Sequence, residues 1–117
     1  MGKNKMCIFS NPCNPTGITK VGADLKDFVD RASQPGHGAL IDEAYEMFHE
    51  NPTSALKYVK NIDQTNVMVL GAATKGLQAA GIRIGWVIAS RKNVEILGNF
   101  GTTSTGGVSH LSQLYCI

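Results

Sequence analysis

Four short apolar runs constrain the fold of this chain more than any other feature of the sequence. They are residues 5–9, 39–41, 67–70 and 84–89, with Gly, Pro or Asn close to their ends. Runs of this kind are typical of buried strands. Long segments separate the first three runs, which predicts parallel neighbours joined by right-handed crossovers. Only residues 72–83 separate the third run from the fourth, so we expect strand 84–89 to run antiparallel.

The segments between these runs contain helical patterns of different strength. Residues 22–33 carry apolar side chains at the spacing of one helix face: Leu25, Phe28, Val29 and Ala32. A weaker helix is expected after Pro52. The sequence therefore predicts an α/β fold with a mostly parallel sheet. Because the apolar runs lack polar alternation, we expect both faces of the sheet to be covered.

The last third of the chain is predicted from weaker signals. Residues 91–100 are expected to be helical, with Val94 and Leu97 facing inward. The Gly-, Ser- and Thr-rich stretch 101–109 is expected to be a loop. Trp86 lies within the fourth apolar run, which favours a place in the core.

Size and charge exclude several classes of protein. The chain has 117 residues, enough for one domain, and its net charge is only +2. This weak charge gives no indication of a nucleic acid or a membrane surface as a partner. No targeting segment is visible, so the cytoplasm is the expected compartment. The odd number of cysteines (Cys7, Cys13 and Cys116) without metal-ligand spacing predicts reduced thiols and no metal site.

Polar motifs follow each of the first three predicted strands. They are Asn-Pro-Cys-Asn-Pro-Thr-Gly at 11–17, Asp-Glu-Ala-Tyr at 42–45 and Gly-Ala-Ala-Thr-Lys-Gly at 71–76. In open α/β sheets the carboxyl ends of the strands form the ligand site, so these motifs should meet at one edge. Each motif alone also has a simpler interpretation, as a turn, a helix cap or a surface lysine. The third motif is not a phosphate loop, because the Gly-Lys-Ser/Thr pattern is missing.

Taken together, the three motifs resemble the class I/II aminotransferases, which are fold type I pyridoxal-phosphate enzymes. The resemblance also includes Lys75 with a glycine six residues and an arginine, Arg83, eight residues later. It runs from about residue 6 to residue 90, and more loosely to the end. It implies a piece of the three-layer sandwich of the cofactor-binding large domain, with pyridoxal 5'-phosphate as the cofactor.

The resemblance also implies a role for each matching residue. Lys75 corresponds to the Schiff-base lysine, which also moves protons, and Asp42 to the carboxylate that pairs with the pyridine nitrogen. Asn14 and Tyr45 correspond to the two donors to the phenolic oxygen of the cofactor. Lys75, Asp42 and Tyr45 are thus the expected catalytic residues.

The phosphate end of the expected site departs from the family pattern at one position. Arg83 corresponds to the arginine that binds the phosphate, although a surface ion pair is the simpler alternative. Ala72 stands where the family usually has a phosphate-binding serine, and Thr74 is the candidate for the missing hydroxyl.

By this resemblance, residues 1–117 form the central part of the large domain, without the N-terminal cofactor loop and the C-terminal small domain. The expected reaction of the complete parent moves an amino group between an amino acid and a 2-oxo acid, and the chain alone is expected to be inactive. A lyase, decarboxylase or cyclase of the same fold, or a non-catalytic fragment, remains an alternative. Residues 104–109 loosely resemble a dimer segment of the family, which suggests a homodimer or other self-association.

Overall fold

A computed structural model describes residues 4–115 and contains one four-stranded sheet. The strands are β1 (Lys5–Ser10), β2 (His37–Asp42), β3 (Val67–Ala72) and β4 (Gly85–Ile88), and they lie side by side in chain order. β1 with β2 and β2 with β3 are parallel, whereas β3 with β4 is antiparallel. The α/β class and the antiparallel direction of the fourth strand, as predicted, are confirmed.

Helices and short turns connect the strands. The helices are α1 (Gly22–Ala32), α2 (Ala73–Gly76), α3 (Arg91–Ser104) and α4 (His110–Tyr115). Single 3₁₀ turns occur at Glu46–Phe48, Ala55–Tyr58, Ile62–Gln64 and Ala80–Ile82. The helix expected after Pro52 is thus only the turn Ala55–Tyr58, whose first residues are capped by the Ser54 hydroxyl. Within the described residues, no helix is long and apolar enough to cross a membrane.

The core lies between α1 and one face of the sheet. Leu25, Val29 and Ala32 of α1 are fully buried, as their helical spacing predicts. They pack in one cluster with buried strand residues: Ala39, Ile41, Val67 and Val69. Phe28 meets Phe9 of β1 edge to face, with the ring centroids 4.9 Å apart. Burial of these side chains supplies the main stabilisation of the fold.

The other face of the sheet is open where β1 forms its edge. Alternate side chains of a strand point to opposite faces, so Met6 and Ile8 point away from the core that Phe9 enters. Met6 is 49% exposed and Ile8 is 69% exposed. The expectation that both faces are covered is therefore not met at β1 by the described residues.

Three expectations for the last third of the chain are wrong. Val94 is 46% exposed and Leu97 is 42% exposed, so neither faces inward. Trp86 is 46% exposed rather than in the core. The helix does not end at residue 100 but continues to Ser104, because hydroxyl groups after that point bond to carbonyls of the previous turn. The Ser104 hydroxyl donates to the Phe100 carbonyl at 2.7 Å, which lets a serine stay in a helix.

Candidate functional site

The motifs singled out in the sequence emerge along one edge of the sheet, which we call the rim and define by Ser10, Asp42, Ala72 and Gly85. Ser10 at the end of β1 lies opposite Asp42 at the end of β2. Asp42 in turn lies opposite Leu70 of β3, and Ala72 lies opposite Gly85. Because β4 is antiparallel, its first residue joins the last residues of the three parallel strands. The rim therefore has the position at which open α/β sheets bind ligands.

The loop after β1 is fastened by Asn11, which is only 2% exposed. Its side-chain nitrogen donates to the Lys20 carbonyl at 2.9 Å, and its side-chain oxygen accepts from the Lys20 N–H at 2.7 Å. The Asn11 N–H also donates to the Asp42 carbonyl at 2.8 Å. One buried side chain therefore closes residues 12–19 into a loop at the rim. The local sequence pattern at Asn11 indicates only a turn, because the partner of its side chain lies nine residues away.

Asn14 is the exposed asparagine of this loop. Its N–H donates to the Ser10 hydroxyl at 3.3 Å. Its side chain and Tyr45 line the same cavity of about 300 Å³, together with Cys13 and Phe48. A hydrogen bond with Thr16 lowers the pKa of the Cys13 thiol in the wall of this cavity. The structure thus brings together the two residues that the resemblance pairs.

Two neighbouring carboxylates at the end of β2 have different surroundings. Asp42 is half-buried, and its Oδ1 accepts from the Ala44 N–H at 2.9 Å. Glu43 is 6% exposed, and its Oε1 accepts from the Ala55 N–H at 2.7 Å. Burial raises the pKa of Glu43, and the hydrogen bonds from Ser54 and Ala55 oppose this rise. Asp42 is therefore accessible to a ligand, whereas Glu43 is almost fully buried and borders a different cavity, of about 210 Å³.

Lys75 lies on α2, directly after β3, and reaches toward the segment that follows β2. Its Nζ lies 5.2 Å from the centroid of the Tyr45 ring, within the range of a cation–π contact. The side chain is exposed, so its amine can be reached from solvent. α2 begins as soon as β3 ends, which places this amine at the rim.

Arg83 and Thr74 stand apart from these contacts. Arg83 is exposed, and its Nη1 donates to the Ala80 carbonyl at 3.1 Å. Its φ of 57° is left-handed, which is uncommon for a residue other than glycine. Thr74 is half-buried beside Lys75. Neither residue lines the cavity of Asn14 and Tyr45.

Trp86 borders the rim, a position that the sequence did not indicate. A Cβ added at Gly71 would lie 2.3 Å from two atoms of the Trp86 ring, so the ring rests on this glycine. Gly71 lies opposite Trp86 in the antiparallel pair. Both residues also border, with Asp42, a second cavity of about 400 Å³ at the rim. The sequence signal for this contact is a glycine paired with an aromatic residue on the next strand. It can be recognised only once the strand register is known.

Comparison with known proteins identifies the family of the chain. The profile of the family "Aminotransferase class I and II" matches residues 2–116. The chain belongs to this family. A histidinol-phosphate aminotransferase of Akkermansia muciniphila is 36% identical over 86 residues, which cover 73% of this chain and 23% of the relative. An aromatic amino acid aminotransferase of Rhodococcus erythropolis is 30% identical over 116 residues, covering 98% of this chain and 31% of the relative.

Solved structures agree with the fold. A PLP-dependent aminotransferase from Streptococcus suis has a TM-score of 0.79 at 29% identity, covering 95% of this chain and 29% of that one. An aspartate aminotransferase from Thermotoga maritima has a TM-score of 0.81 at 22% identity, covering 93% of this chain and 29% of that one. The latter likeness concerns the fold alone. The chain thus spans less than a third of the length of these relatives.

Proposed function

We propose that this chain is the central part of the cofactor-binding domain of a pyridoxal-phosphate-dependent aminotransferase. The observation that carries the proposal is the contact between the Lys75 amine and the Tyr45 ring at the rim. Members of the family generally depend on pyridoxal phosphate. A reachable lysine beside a phenol, at the ends of parallel strands, is the arrangement that such chemistry needs.

The groups present along the rim fit the cofactor. A carboxylate (Asp42), an amide (Asn14), a phenol (Tyr45) and an amine (Lys75) lie at or shortly after the carboxyl ends of β1, β2 and β3. Asp42 would hold the pyridine nitrogen, and Asn14 with Tyr45 would hold the phenolic oxygen. The guanidinium of Arg83, bonded to a backbone carbonyl here, would bind the phosphate, for which its planar fork is suited. When bound, pyridoxal phosphate supplies an aldehyde carbon and an electron-withdrawing ring.

The side chains of the chain then have distinct tasks. With the cofactor bound, the Asp42 carboxylate would favour a proton on the pyridine nitrogen, because an opposite charge nearby stabilises the protonated form. The Lys75 Nζ would hold the cofactor and would accept and return a proton as a general base and acid. Asn14 and the Tyr45 hydroxyl would donate hydrogen bonds to the phenolic oxygen and stabilise its negative charge.

We propose small molecules as substrates, an amino acid and a 2-oxo acid. The relatives are named for histidinol phosphate and for aromatic amino acids, which supports amino-group transfer without choosing between these substrates. The exposed Met6 and Ile8 at the open sheet face support self-association of the chain, since exposed apolar patches mark interaction sites.

An absorption titration with pyridoxal phosphate tests the proposal. Lysine-bound pyridoxal phosphate absorbs visible light, and its band should saturate in the unsubstituted chain and be lost in Lys75→Ala. Lys57→Ala is a matched control, because the Lys57 Nζ also lies near a tyrosine ring, 5.9 Å from the centroid of Tyr58, but away from the rim. An equal loss in both variants would contradict a site at Lys75.

A further inference from the structure

The buried carboxylate of Glu43 has no task in the proposed chemistry. It is 6% exposed and follows Asp42 directly, yet Asp42 lies at the rim and Glu43 does not line the cavity of Asn14 and Tyr45. Charged side chains are rarely this buried unless they are paired or hydrogen-bonded. A carboxylate kept inside the protein therefore requires a structural reason.

The side chain of Glu43 bonds to a distant segment of the chain. Its Oε1 accepts from the Ala55 N–H at 2.7 Å, a contact between residues twelve positions apart. Ala55 is itself fully buried in the core cluster and begins the turn Ala55–Tyr58. The end of β2 is thus tied to a segment that cannot move without disturbing the core.

The backbone of Glu43 makes two further hydrogen bonds. Its N–H donates to the Leu70 carbonyl of β3 at 2.9 Å, and its carbonyl accepts from the Glu46 N–H at 2.9 Å. Asp42 precedes Glu43 by one residue, and Tyr45 follows it by two. The residue between the two proposed cofactor contacts is therefore fixed to β3, to the core turn and to the turn after Tyr45.

We propose that Glu43 is a positioning residue: its carboxylate anchors the segment 42–45 to the core turn and thereby holds Asp42 and Tyr45 in place for the cofactor. This inference rests on the proposed function. The property that matters is the accepting oxygen, because Oε1 bonds to a neutral backbone N–H rather than to a cation.

Glu43→Gln and Glu43→Met form a matched pair for the test. Glutamine keeps an accepting oxygen at the same length, whereas methionine keeps the unbranched, buried chain without that oxygen. The measured quantity is the pyridoxal phosphate concentration at half-maximal labelling of Lys75, after borohydride reduction and peptide mapping. We expect glutamine to match the unsubstituted chain and methionine to raise this concentration about tenfold, as for loss of a buried hydrogen bond.

A cofactor-free readout and a control separate positioning from general destabilisation. Amide hydrogen exchange of residues 44–46 should become faster in Glu43→Met and stay unchanged in Glu43→Gln. Val67→Ala is the control, because Val67 is fully buried at the opposite end of β3. It should lower global stability without changing the labelling concentration by more than about twofold.

The outcomes separate the inference from the proposed function. If the unsubstituted chain is not labelled at Lys75, the proposed function fails and the inference fails with it. If the unsubstituted chain is labelled and Glu43→Met needs the same pyridoxal phosphate concentration for half-maximal labelling, the inference alone is overturned. The same holds if Val67→Ala raises this concentration as much as Glu43→Met does. Loss of labelling in Glu43→Gln also overturns it. Should Glu43→Met not fold, Ala55→Pro removes the same hydrogen bond from the donor side, and unchanged labelling there overturns the inference.

Discussion

Replacing Ala72 by serine should stabilise the short helix that follows β3. Ala72 is the N-cap of α2, with an extended φ of −145° and ψ of 137°, and no side chain caps this helix. The Ala73 N–H already donates to the Ile84 carbonyl, so a serine oxygen would serve the next amides of the helix. The chain shows this arrangement elsewhere, where the Ser90 hydroxyl accepts from the Asn93 N–H at 3.4 Å.

The expected gain follows from the usual worth of such a cap. A serine in place of alanine at an N-cap contributes about 1 kcal/mol. With a urea dependence of about 2 kcal/mol per M, typical of small proteins, the midpoint of unfolding should rise by about 0.5 M. Urea titrations followed by far-ultraviolet circular dichroism would resolve a change of this size.

A matched control makes the result specific to the cap. Ala80→Ser introduces the same hydroxyl at an exposed residue of a neighbouring turn, where the effect should stay within about 0.5 kcal/mol. An unchanged midpoint in Ala72→Ser, or an equal rise in Ala80→Ser, would show that a hydroxyl at residue 72 does not cap α2. If Ala72→Ser also tightens binding of pyridoxal phosphate, the new hydroxyl serves the phosphate as well.

Three further predictions concern the buried carboxylate, the tryptophan at the rim and the open sheet face. Burial raises the pKa of Glu43 above its unfolded value of about 4.3, so stability is lost as the pH rises through the folded pKa. In urea titrations, Glu43→Gln should therefore raise the free energy of unfolding more at about pH 7 than at about pH 4. An equal rise at both pH values would contradict a raised pKa of Glu43. Gly71→Ala should displace the ring of the single tryptophan, Trp86, and shift its fluorescence, whereas Gly81→Ala, with open space around its Cβ, should not. Ile8→Lys should reduce the apparent mass in light scattering at high concentration, and a monomeric unsubstituted chain would count against self-association.

The strand directions could be predicted because they depend on spacing along the chain. Two long crossovers and one short connection suffice to distinguish parallel from antiparallel neighbours. The strand pairing confirms the two parallel pairs and the antiparallel pair. The end of α3 could not be predicted in this way. Thr and Ser after residue 100 usually indicate a loop, and only their hydrogen bonds to the previous helical turn keep them helical. The inward facing of Val94 and Leu97 was wrong because periodicity shows that a helix has an apolar face, not that a partner covers it.

The candidate site could be predicted as a set of residues but not as a set of contacts. Motif order and strand ends indicated Asn14, Tyr45 and Lys75, and the structure places Lys75 against Tyr45. The anchoring roles of Asn11 and Glu43 depend on partners nine and twelve residues away, which no local pattern reveals. The roles of the site residues toward the cofactor stay predictions.

Borohydride reduction of the chain with pyridoxal phosphate, followed by peptide mapping, shows whether Lys75 is the lysine that binds the cofactor. We expect the label to concentrate on the peptide containing Lys75 and to be lost from that peptide in Lys75→Arg. Label spread over exposed lysines such as Lys57 and Lys60, in proportion to their exposure, would contradict a cofactor site at the rim.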